Sequence, residues 1–554
     1  MRINVGSCIV KNLEHIGVRH IFGGAGEANA AMLLELNRSQ HIRTVIVKNE
    51  QAASFMACGY SMFNDNLGVC ISTAGPGEFN LFSGLAVALS DSLPVLAISG
   101  FTPQAFRGKG ALNEASGLHR TPNSPAMFAA TTKKSLIIED PSQAVEALEE
   151  LVNLAFAGRP GPVHIHLPTD VIRAEVPNFR LIEVNAAPVL PDPAQLERLA
   201  AALGDAMNRG EETMAIIGYG TIRSRAASEV RAFVERFQIP FATTMDAKGV
   251  LPEDHPLCLG GFGTSGDAAG LEQFRKAKWV IALGNSFAQH ATYDFQPGLF
   301  GGKTLLHVNI DPAEIGKVYP TEFGLVSDVK PALNGLSRSL EGRVGAVPRR
   351  PLPHHRFVDQ QITATGTRIH PALLVREISR LLPPDSYILG DAGGHMLWLH
   401  CYLNLAQGQI YQNPGSFGPM ASHVNGALGV QCANPDRTVV AGVGDGAYLL
   451  AGFEFLTAVQ YNLPVIWVIF NNGGFNVIKQ FQESHYGEHA FTEFPEPDFA
   501  LYAKACGGRG YRVERLDEFA PAFSEALQAK VPALIDVVLD PDVYPPYHTS
   551  PSDQ

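Results

Sequence analysis

The sequence predicts an α/β protein with three doubly wound parallel sheets. Short apolar runs typical of buried strands alternate with helix-like segments almost throughout the 554 residues. The runs are apolar on both faces, as expected of parallel strands that helices cover on both sides. Two proline-rich stretches without periodicity, 186–195 and 344–356, divide the chain into three blocks. We therefore predict domains at 1–185, 190–340 and 355–554.

Nine apolar runs carry the strand prediction. They are 44–48, 67–73, 94–100 and 162–168 in the first block, 214–218, 278–284 and 304–311 in the second, and 438–444 and 464–470 in the third. The most apolar stretch, LFSGLAVALSDSLPVLAISG, is interrupted by Asp91 and Pro94. We interpret it as a helix followed by a buried strand, and we predict no membrane span.

Composition limits the class of protein. Charged residues make up 17% of the chain and the formal net charge is −12, which argues against a nucleic-acid-binding protein, since such proteins need a basic face. The seven cysteines form no Cys-x-x-Cys pair, a pattern typical of reduced thiols. The N-terminal segment has no apolar core of the secretory type. We expect a cytoplasmic protein without nucleic-acid or membrane partners.

The first and last blocks contain similar segments. AGPGEFNLFSGLAVALSDSLPVLAIS (74–99) and VGDGAYLLAGFEFLTAVQYNLPVIWVI (443–469) each open with Gly-x-Gly and continue through a helical stretch into a buried strand. This similarity favours one architecture for both outer blocks, although any strand–helix–strand unit gives a related pattern. The middle residue of the motif differs, being Pro76 in the first copy and Asp445 in the second.

Asp445 lies between Gly444 and Gly446, directly after a predicted buried strand. Free backbone N–H groups in such a turn favour phosphate, and ligands bind at the carboxyl ends of parallel strands. An aspartate there repels phosphate unless a cation such as Mg²⁺ lies between them. The next predicted strand ends in NNGG, whose Asn472 side chain and Gly474 carbonyl can complete a metal site. The alternative is that the two motifs are only a tight turn and a loop.

A Gly-Asp-Gly motif followed at this distance by two asparagines resembles the thiamin-diphosphate signature. The wider match is to the acetolactate-synthase-like branch of thiamin-diphosphate-dependent enzymes and covers nearly the whole chain. It rests on KNEQAASFMACGYS, STAGPGEFNLFSGLAVALSDSLPVLAISG and GRPGPVHIHLPTDV, then HVNIDPAEIGKVYP, and finally GDAGGHMLW and GSFGPMASHVNGALG. The resemblance implies a pyrimidine-binding first domain, a central nucleotide-fold domain and a diphosphate-binding last domain.

The resemblance also implies roles for individual residues. Asp445, Asn472 and the Gly474 carbonyl would hold Mg²⁺. The Met420 side chain would lie beneath the thiazolium ring and bend the cofactor. The further cofactor-binding residues that it implies are Pro76 and Asn80 in the first block and Gly394, His395, Gly418, Gly444, Gly446 and Ala447 in the last.

Glu50 is the predicted acid–base residue. It follows the strand TVIVK and precedes an apolar helix of small residues, so we expect a partly buried carboxylate that can share a proton. From the residues alone, an exposed glutamate stabilised by the helix dipole is the alternative. In the family that the chain resembles, this glutamate drives the pyrimidine ring to its imino tautomer, and it reaches the cofactor of a neighbouring subunit. The resemblance therefore implies a homodimer with the active site at the interface, and leaves a homotetramer open.

The implied reaction is decarboxylation of a 2-oxo acid, followed by carboligation of the enamine to a second 2-oxo acid or aldehyde. The product would be an acyloin or acetolactate-like compound, and the alternative is a simple decarboxylase of the aromatic or indolepyruvate type. Acetolactate synthases usually carry Phe-Gln-Glu where this chain has Leu112 and Asn113, and a tryptophan where it has Phe481, while Gln480 is kept. These departures favour other substrates, such as the larger or aromatic 2-oxo acids of acyloin-forming natural-product metabolism.

Two histidines complete the predicted catalytic set of Glu50, Asn113, Gln480, His119 and His423. His119, in LHRT, lies where pyruvate decarboxylases have two adjacent histidines, and it would be either a proton donor or a surface loop residue. His423 takes the place of a glycine close to the predicted thiazolium wedge, where it could face the substrate.

The central block offers a rival interpretation as a nucleotide-binding redox domain. IIGYGTIRS (216–224) begins like a dinucleotide fingerprint, but Arg223 stands where the third glycine belongs. The segment ALGNSFAQHATYD lacks the Arg-Phe-Asp-Asp run of flavin-containing relatives. We therefore expect thiamin diphosphate and Mg²⁺ as cofactors, with FAD disfavoured but open. The intact Glu50, Asp445 and Asn472 argue against a non-catalytic relative.

Overall fold

The computed structural model describes residues 3–64, 66–348, 350–353, 355–363, 366–548 and 550–553. Within these residues it contains three parallel sheets of six strands each, with helices packed on their faces. The predicted fold class is therefore confirmed. All nine predicted strands are present, and their bounds agree with the prediction to within two residues.

The first sheet lies in the N-terminal part of the chain and has the strand order β2-β1-β3-β4-β6-β5. Its strands are β1 His20–Gly23, β2 Arg43–Ile46, β3 Gly68–Ser72, β4 Val95–Phe101, β5 Lys134–Ile137 and β6 Val163–Pro168. Its helices are α1 Val5–His15, α2 Ala30–Arg38, α3 Glu50–Met62, α4 Pro76–Phe79, α5 Phe82–Ser90, α6 Ser124–Thr131, α7 Ala144–Phe156 and α8 Thr169–Ile172.

The second sheet follows the first proline-rich stretch and has the order β12-β11-β10-β7-β8-β9, which is that of a dinucleotide-binding fold. Its strands are β7 Thr213–Ile217, β8 Phe241–Thr243, β9 Cys258–Gly261, β10 Trp279–Leu283, β11 Thr304–Asn309 and β12 Phe323–Val326. Its helices are α9 Pro193–Asn208, α10 Gly220–Arg223, α11 Ala227–Phe237, α12 Ala268–Lys276 and α13 Val329–Leu340.

The third sheet lies in the C-terminal part and has the order β14-β13-β15-β16-β18-β17. Its strands are β13 Tyr387–Gly390, β14 Ile410–Gln412, β15 Val439–Gly444, β16 Ile466–Asn471, β17 Arg509–Val513 and β18 Ala533–Val538. Its helices are α14 Pro371–Leu381, α15 Gly394–Tyr402, α16 Ser422–Ala433, α17 Asp445–Ala451, α18 Phe455–Tyr461, α19 Asn476–Tyr486, α20 Phe499–Ala505 and α21 Leu516–Ala529.

The first and third sheets share one topology. Counted from the first strand of each sheet, both have the order 2-1-3-4-6-5. The two segments that look alike in the sequence occupy the same place in each sheet, from the third strand to the fourth. The outer domains are therefore two copies of one architecture, and equivalent strand ends can supply the two halves of a ligand site.

Helices α3 and α16 hold the two outer domains together. A Cβ atom at Gly59 would overlap the Gly426 carbonyl, and one at Gly429 would overlap the Met56 carbonyl, so the helix backbones touch. This pairing also shows that the two helices run antiparallel, because the residue number rises along one helix as it falls along the other. The first residue of α3 is therefore far from the first residue of α16 in the same chain, at about 20 Å along the helix axes.

Candidate active site

The carboxyl ends of β15 and β16 meet at one edge of the third sheet. The two strands are paired in parallel, so the loops that follow them lie side by side. Asp445, the first residue of α17, joins the two loops through hydrogen bonds to its carboxylate. Its Oδ2 accepts the backbone N–H groups of Asn472 (3.0 Å), Gly473 (2.7 Å) and Gly474 (3.3 Å), and its Oδ1 accepts that of Gly446 (2.7 Å).

The electrostatics around Asp445 favour a cation. Burial raises the pKa of Asp445 to about 6, against the lowering effect of the four N–H donors. Burial also lowers the pKa of the neighbouring His395 to about 3, so this imidazole is neutral near pH 7. A diphosphate in this place would meet a carboxylate and, among the described residues, no lysine or arginine lining the cavity.

Asn472 supplies a second oxygen. Its side-chain Oδ1 is buried and has no hydrogen-bond partner among the described residues, while its backbone N–H is bound to Asp445. A buried, unpaired amide oxygen beside a carboxylate matches the oxygen-only ligand set that Mg²⁺ prefers. The residues that are present therefore fit a divalent cation.

A cavity of about 220 Å³ opens beside these oxygens. A Cβ atom at Gly444 would lie 2.8 Å from Nδ1 of His395, so a larger residue would displace that ring. Several predicted cofactor-binding residues share this cavity: Gly394, His395, Met420, Gly444, Asp445, Gly446, Ala447, Asn472 and Gly474. Apolar side chains complete the wall, namely Trp398, Phe470, Phe475, Val477, Ile478, Leu539 and Val543.

The turn that carries Gly418 and Met420 is held in a strained shape by Asp391. Ala421 has φ +73°, a conformation that L residues with a side chain rarely adopt. Asp391 is fully buried and accepts four backbone N–H groups at 2.8–2.9 Å, three of which belong to Ala421, His423 and Val424. Asp391 is not among the residues predicted from the sequence, although its position directly after β13 matches that of Asp445 after β15.

Glu50 belongs to a separate cluster in the first domain. It is half-buried, and its Oε2 accepts a hydrogen bond from Nδ2 of Asn80 at 3.0 Å. A Cβ atom at Gly24 would lie 2.5 Å from the other oxygen of Glu50, so this glycine leaves room for the carboxylate. Pro76 begins α4 in the same loop as Asn80.

Asn113 lies against the same loop. A Cβ atom at Gly75, which has φ +60°, would lie 2.7 Å from the Asn113 carbonyl. The loop around Asn113 is exposed, and Leu112 beside it is 82% accessible. The structure thus groups Glu50, Pro76, Asn80 and Asn113 on one surface of the first domain.

The two clusters do not meet within one chain. Every residue that lines the cavity lies between Pro371 and Pro545, and so belongs to the third domain. The antiparallel packing of α3 and α16 explains this separation, because Glu50 and Met420 lie at opposite ends of the helix pair.

The other three predicted catalytic residues, His119, His423 and Gln480, also lie outside the residues that line the cavity. His119 is exposed in a loop and has φ +53°. His423 is buried, burial lowers its pKa to about 3, and its Nε2 has no partner among the described residues. Gln480 donates to the carbonyl of Pro545, which is at the cavity wall. Phe481 is half exposed and stacks on His485.

Comparison with known proteins identifies the family. Three family models match the chain: the N-terminal thiamine pyrophosphate (thiamin diphosphate) binding domain at residues 3–132, the central domain of these enzymes at 200–336, and their C-terminal binding domain at 391–537. A probable acetolactate synthase large subunit from Methanocaldococcus jannaschii is 30% identical over 96% of this chain and 91% of its own length. The chain belongs to the thiamin-diphosphate-dependent enzymes, in their acetolactate-synthase-like branch.

Two further relatives place this thiamin-diphosphate enzyme in the same branch. The acetolactate synthase large subunit of Corynebacterium glutamicum is 29% identical over 98% of this chain and 87% of its own length. An acetolactate synthase from Arthrospira platensis is 29% identical over 98% of this chain and 96% of its own length. The N-terminal and C-terminal family matches contain the Glu50 cluster and the Asp445 cavity respectively.

The central domain of this thiamin-diphosphate enzyme carries the Gly218-x-Gly220 motif at the end of β7. The N–H of Gly220 donates to the Gly284 carbonyl at 2.9 Å, and the N–H of Thr221 donates to the Gly218 carbonyl at 3.0 Å. These two amides are therefore engaged within the protein. No helix in the described ranges is both long and apolar enough to cross a membrane.

Proposed function

We propose that this enzyme uses Mg²⁺ and thiamin diphosphate to decarboxylate a 2-oxo acid and to join the remaining carbon unit to a second 2-oxo acid or aldehyde. The observation that carries this proposal is the contact of the Asp445 and Asn472 loops, with a buried unpaired amide oxygen beside the carboxylate. When bound, the cofactor supplies a nucleophilic carbon and an electron sink for carbonyl chemistry.

The residues of the third domain bind and orient the cofactor. Asp445, Asn472 and the Gly474 carbonyl would hold Mg²⁺, and the metal would offset the charge of the diphosphate, which no lysine or arginine of the described cavity wall does. Gly394, His395, Gly444, Gly446 and Ala447 would surround the diphosphate. Gly418 and Met420 would contact the ring system of the cofactor, on a turn that Asp391 holds rigidly.

Glu50 would hold and move the proton at the pyrimidine ring. Its carboxylate is half-buried and oriented by Asn80, and Pro76 lies in the same loop. Because Glu50 and the Asp445 cavity are separated within one chain, the partner subunit's Glu50 would complete each site. This supports a homodimer with two shared active sites.

An exposed apolar face supports the same assembly. Leu449, Leu450, Phe453 and Leu456, on α17, α18 and the turn between them, are 46%, 56%, 69% and 43% exposed. These helices directly follow the metal loop, so burying their apolar face against a second copy would bring the two subunits together beside the active sites. Pairing of dimers into a homotetramer is the further possibility that we propose to test by sedimentation.

Carboligation is the reaction that the cavity favours over simple decarboxylation. The wall beside Met420 is apolar, and the titratable groups that line it among the described residues are Asp445 and His395, both of which belong to the diphosphate end. A decarboxylase needs a positioned proton donor for its product, whereas an apolar chamber suits a second carbonyl compound. His119 and Asn113 of the partner subunit's loop, and Gln480 and His423 of this chain, would complete the substrate end. A proton donated to the product by either histidine would favour the alternative decarboxylase.

The test is to incubate the protein with Mg²⁺, thiamin diphosphate and a panel of 2-oxo acids, singly and in pairs. Hydroxyketone products support the carboligase, and release of CO₂ with aldehyde alone would support the alternative decarboxylase. An absorbance spectrum of the purified protein also tests for FAD, which we expect to be absent. We further propose a cytoplasmic location, which the seven free cysteines support.

A further inference from the structure

Glu454 is a buried carboxylate outside the cofactor cavity. It is 2% exposed and ends the short 3-10 turn Gly452–Glu454, which follows α17. Its Oε1 accepts the backbone N–H groups of Lys48 (2.8 Å) and Asn49 (3.0 Å). Since these are the two residues before Glu50, Glu454 holds the backbone of the loop that ends at Glu50.

The second oxygen of Glu454 is engaged as well. Thr457 donates its hydroxyl to Oε2 at 2.5 Å, and Lys48 Nζ donates to the Thr457 hydroxyl oxygen at 3.2 Å. The N–H of Ile46, the last residue of β2, donates to the Tyr461 hydroxyl at 2.8 Å. The carboxylate is therefore fixed in one orientation, and α18 binds the loop at several points.

Asp445 begins α17, and Glu454 ends the 3-10 turn that follows this helix, nine positions later in the chain. The Asp445 end belongs to the diphosphate site of its own subunit. The Glu454 end holds the loop that, in the proposed dimer, presents Glu50 to the other site.

We propose that Glu454 is a positioning residue, which presents Glu50 to the active site of the partner subunit and links it to the diphosphate site of its own subunit. The inference rests on the proposed function, because it needs a homodimer with shared sites. Glu454 acts on the Glu50 of its own chain, and therefore on the active site that does not contain its own Asp445.

Heterodimers purified with two different tags test this assignment. In the first, one subunit carries both Glu50→Gln and Glu454→Ala and the partner is wild type. Its one working site uses the Glu50 of the wild-type subunit, and the intact Glu454 of that same subunit still holds the loop. We therefore expect about half of the wild-type activity. In the second, one subunit carries Glu50→Gln and the other Glu454→Ala. The only intact Glu50 has then lost its support, and we expect activity about tenfold below that of the first heterodimer.

Equal activities in the two heterodimers would overturn the proposal. The reverse order would overturn it too, because it would place the role of Glu454 in the diphosphate site of its own chain. A Glu50→Gln homodimer that keeps full activity would instead refute the proposed function. That homodimer is assayed in parallel, so the two failures can be told apart.

A readout in the cofactor-free protein complements the activity. Hydrogen–deuterium exchange of the amides of Lys48 and Asn49 should become at least about tenfold faster in Glu454→Ala, and less so in the nearly isosteric Glu454→Gln. Gln460→Ala is the matched control. Gln460 accepts a hydrogen bond from the Lys48 ammonium group (2.9 Å) and not from the Lys48 or Asn49 amides, so this substitution should leave exchange and activity unchanged. Unchanged exchange in both Glu454 variants would contradict the proposal, and thermal melts establish that the variants fold.

Discussion

Asn472 Oδ1 is the single atom on which the metal site depends most. It is buried without a partner among the described residues, and leaving such an oxygen unpaired costs about 1–3 kcal/mol. A cation bound there recovers this energy and also favours the ionised form of Asp445, whose pKa burial raises. The metal and the diphosphate are therefore expected to bind together.

Changing Glu50 to glutamine tests the acid–base role at this scale. The variant keeps the shape of the side chain and its contact with Asn80, but it cannot exchange a proton. We expect a folded dimer that binds Mg²⁺ and thiamin diphosphate with little change and loses about a hundredfold or more of its turnover. Steady-state rates and a cofactor titration measure the two effects. Retained turnover would remove Glu50 from the mechanism.

Some site residues can be predicted from the sequence and others cannot. Asp445 and Asn472 each follow an apolar run that predicts a buried strand. When two such strands are adjacent and parallel, their carboxyl ends lie side by side. Asp391 is recognisable only in three dimensions, because its carboxylate gathers N–H groups about thirty residues away in the chain. The family resemblance implies that Glu50 serves a neighbouring subunit, but the physical reason, the antiparallel packing of α3 and α16, is visible only in the structure.

At the scale of elements, the sequence patterns miss nine strands of the described residues, of which β1, β8, β13 and β18 are interior strands and five are edge strands. In the described residues, β5, β9, β12, β14 and β17 lie at sheet edges. Edge strands are less buried than central ones, and β5 and β17 accordingly mix polar and apolar residues. The central strand β18 is fully buried, but Asp536 interrupts its apolar run. A charged residue is tolerated at this buried position because Arg512 and Asn471 donate hydrogen bonds to its carboxylate.

The contact of α3 and α16 gives a prediction for stability. Gly429→Ala would place a methyl group on the Met56 carbonyl, and neither helix backbone can give way without moving a domain. We expect the free energy of unfolding to fall by about 2–3 kcal/mol. Thermal or urea unfolding measures it. Gly345→Ala, where the added carbon meets nothing within 4 Å, is the control, and an equal effect in both variants would contradict the packing argument.

At the scale of the whole molecule, two buried carboxylates lie where the three domains meet. Burial first and the charge of Asp91 second together raise the pKa of Asp246, in the second domain, to about 7. Burial also raises the pKa of Asp91, in the first domain, to about 6, and the N–H of Gly415 in the third domain donates to it. The domain junction therefore binds protons more tightly than the unfolded chain does.

The sign of the resulting pH dependence follows from these pKa values. Because the native pKa of Asp246 lies above the unfolded value of 3.8, this group contributes stability fully below about pH 4, and the contribution is lost as the pH rises through about 7. We expect the cofactor-free protein to lose about 2 kcal/mol or more of stability between pH 5 and pH 8 through this group. Asp246→Asn should flatten that slope in melting curves. A slope unchanged by the substitution would show that other groups cause it.

The most direct test of the central claim is a titration of thiamin diphosphate, followed by the fluorescence of Trp398, which lines the cavity. We expect saturable binding in the presence of Mg²⁺ and a loss of at least about a hundredfold in affinity with EDTA or in Asp445→Asn, while the exposed control Asp517→Asn binds normally. Equally tight binding without a divalent cation, or by Asp445→Asn, would contradict a metal-tethered diphosphate at the ends of β15 and β16.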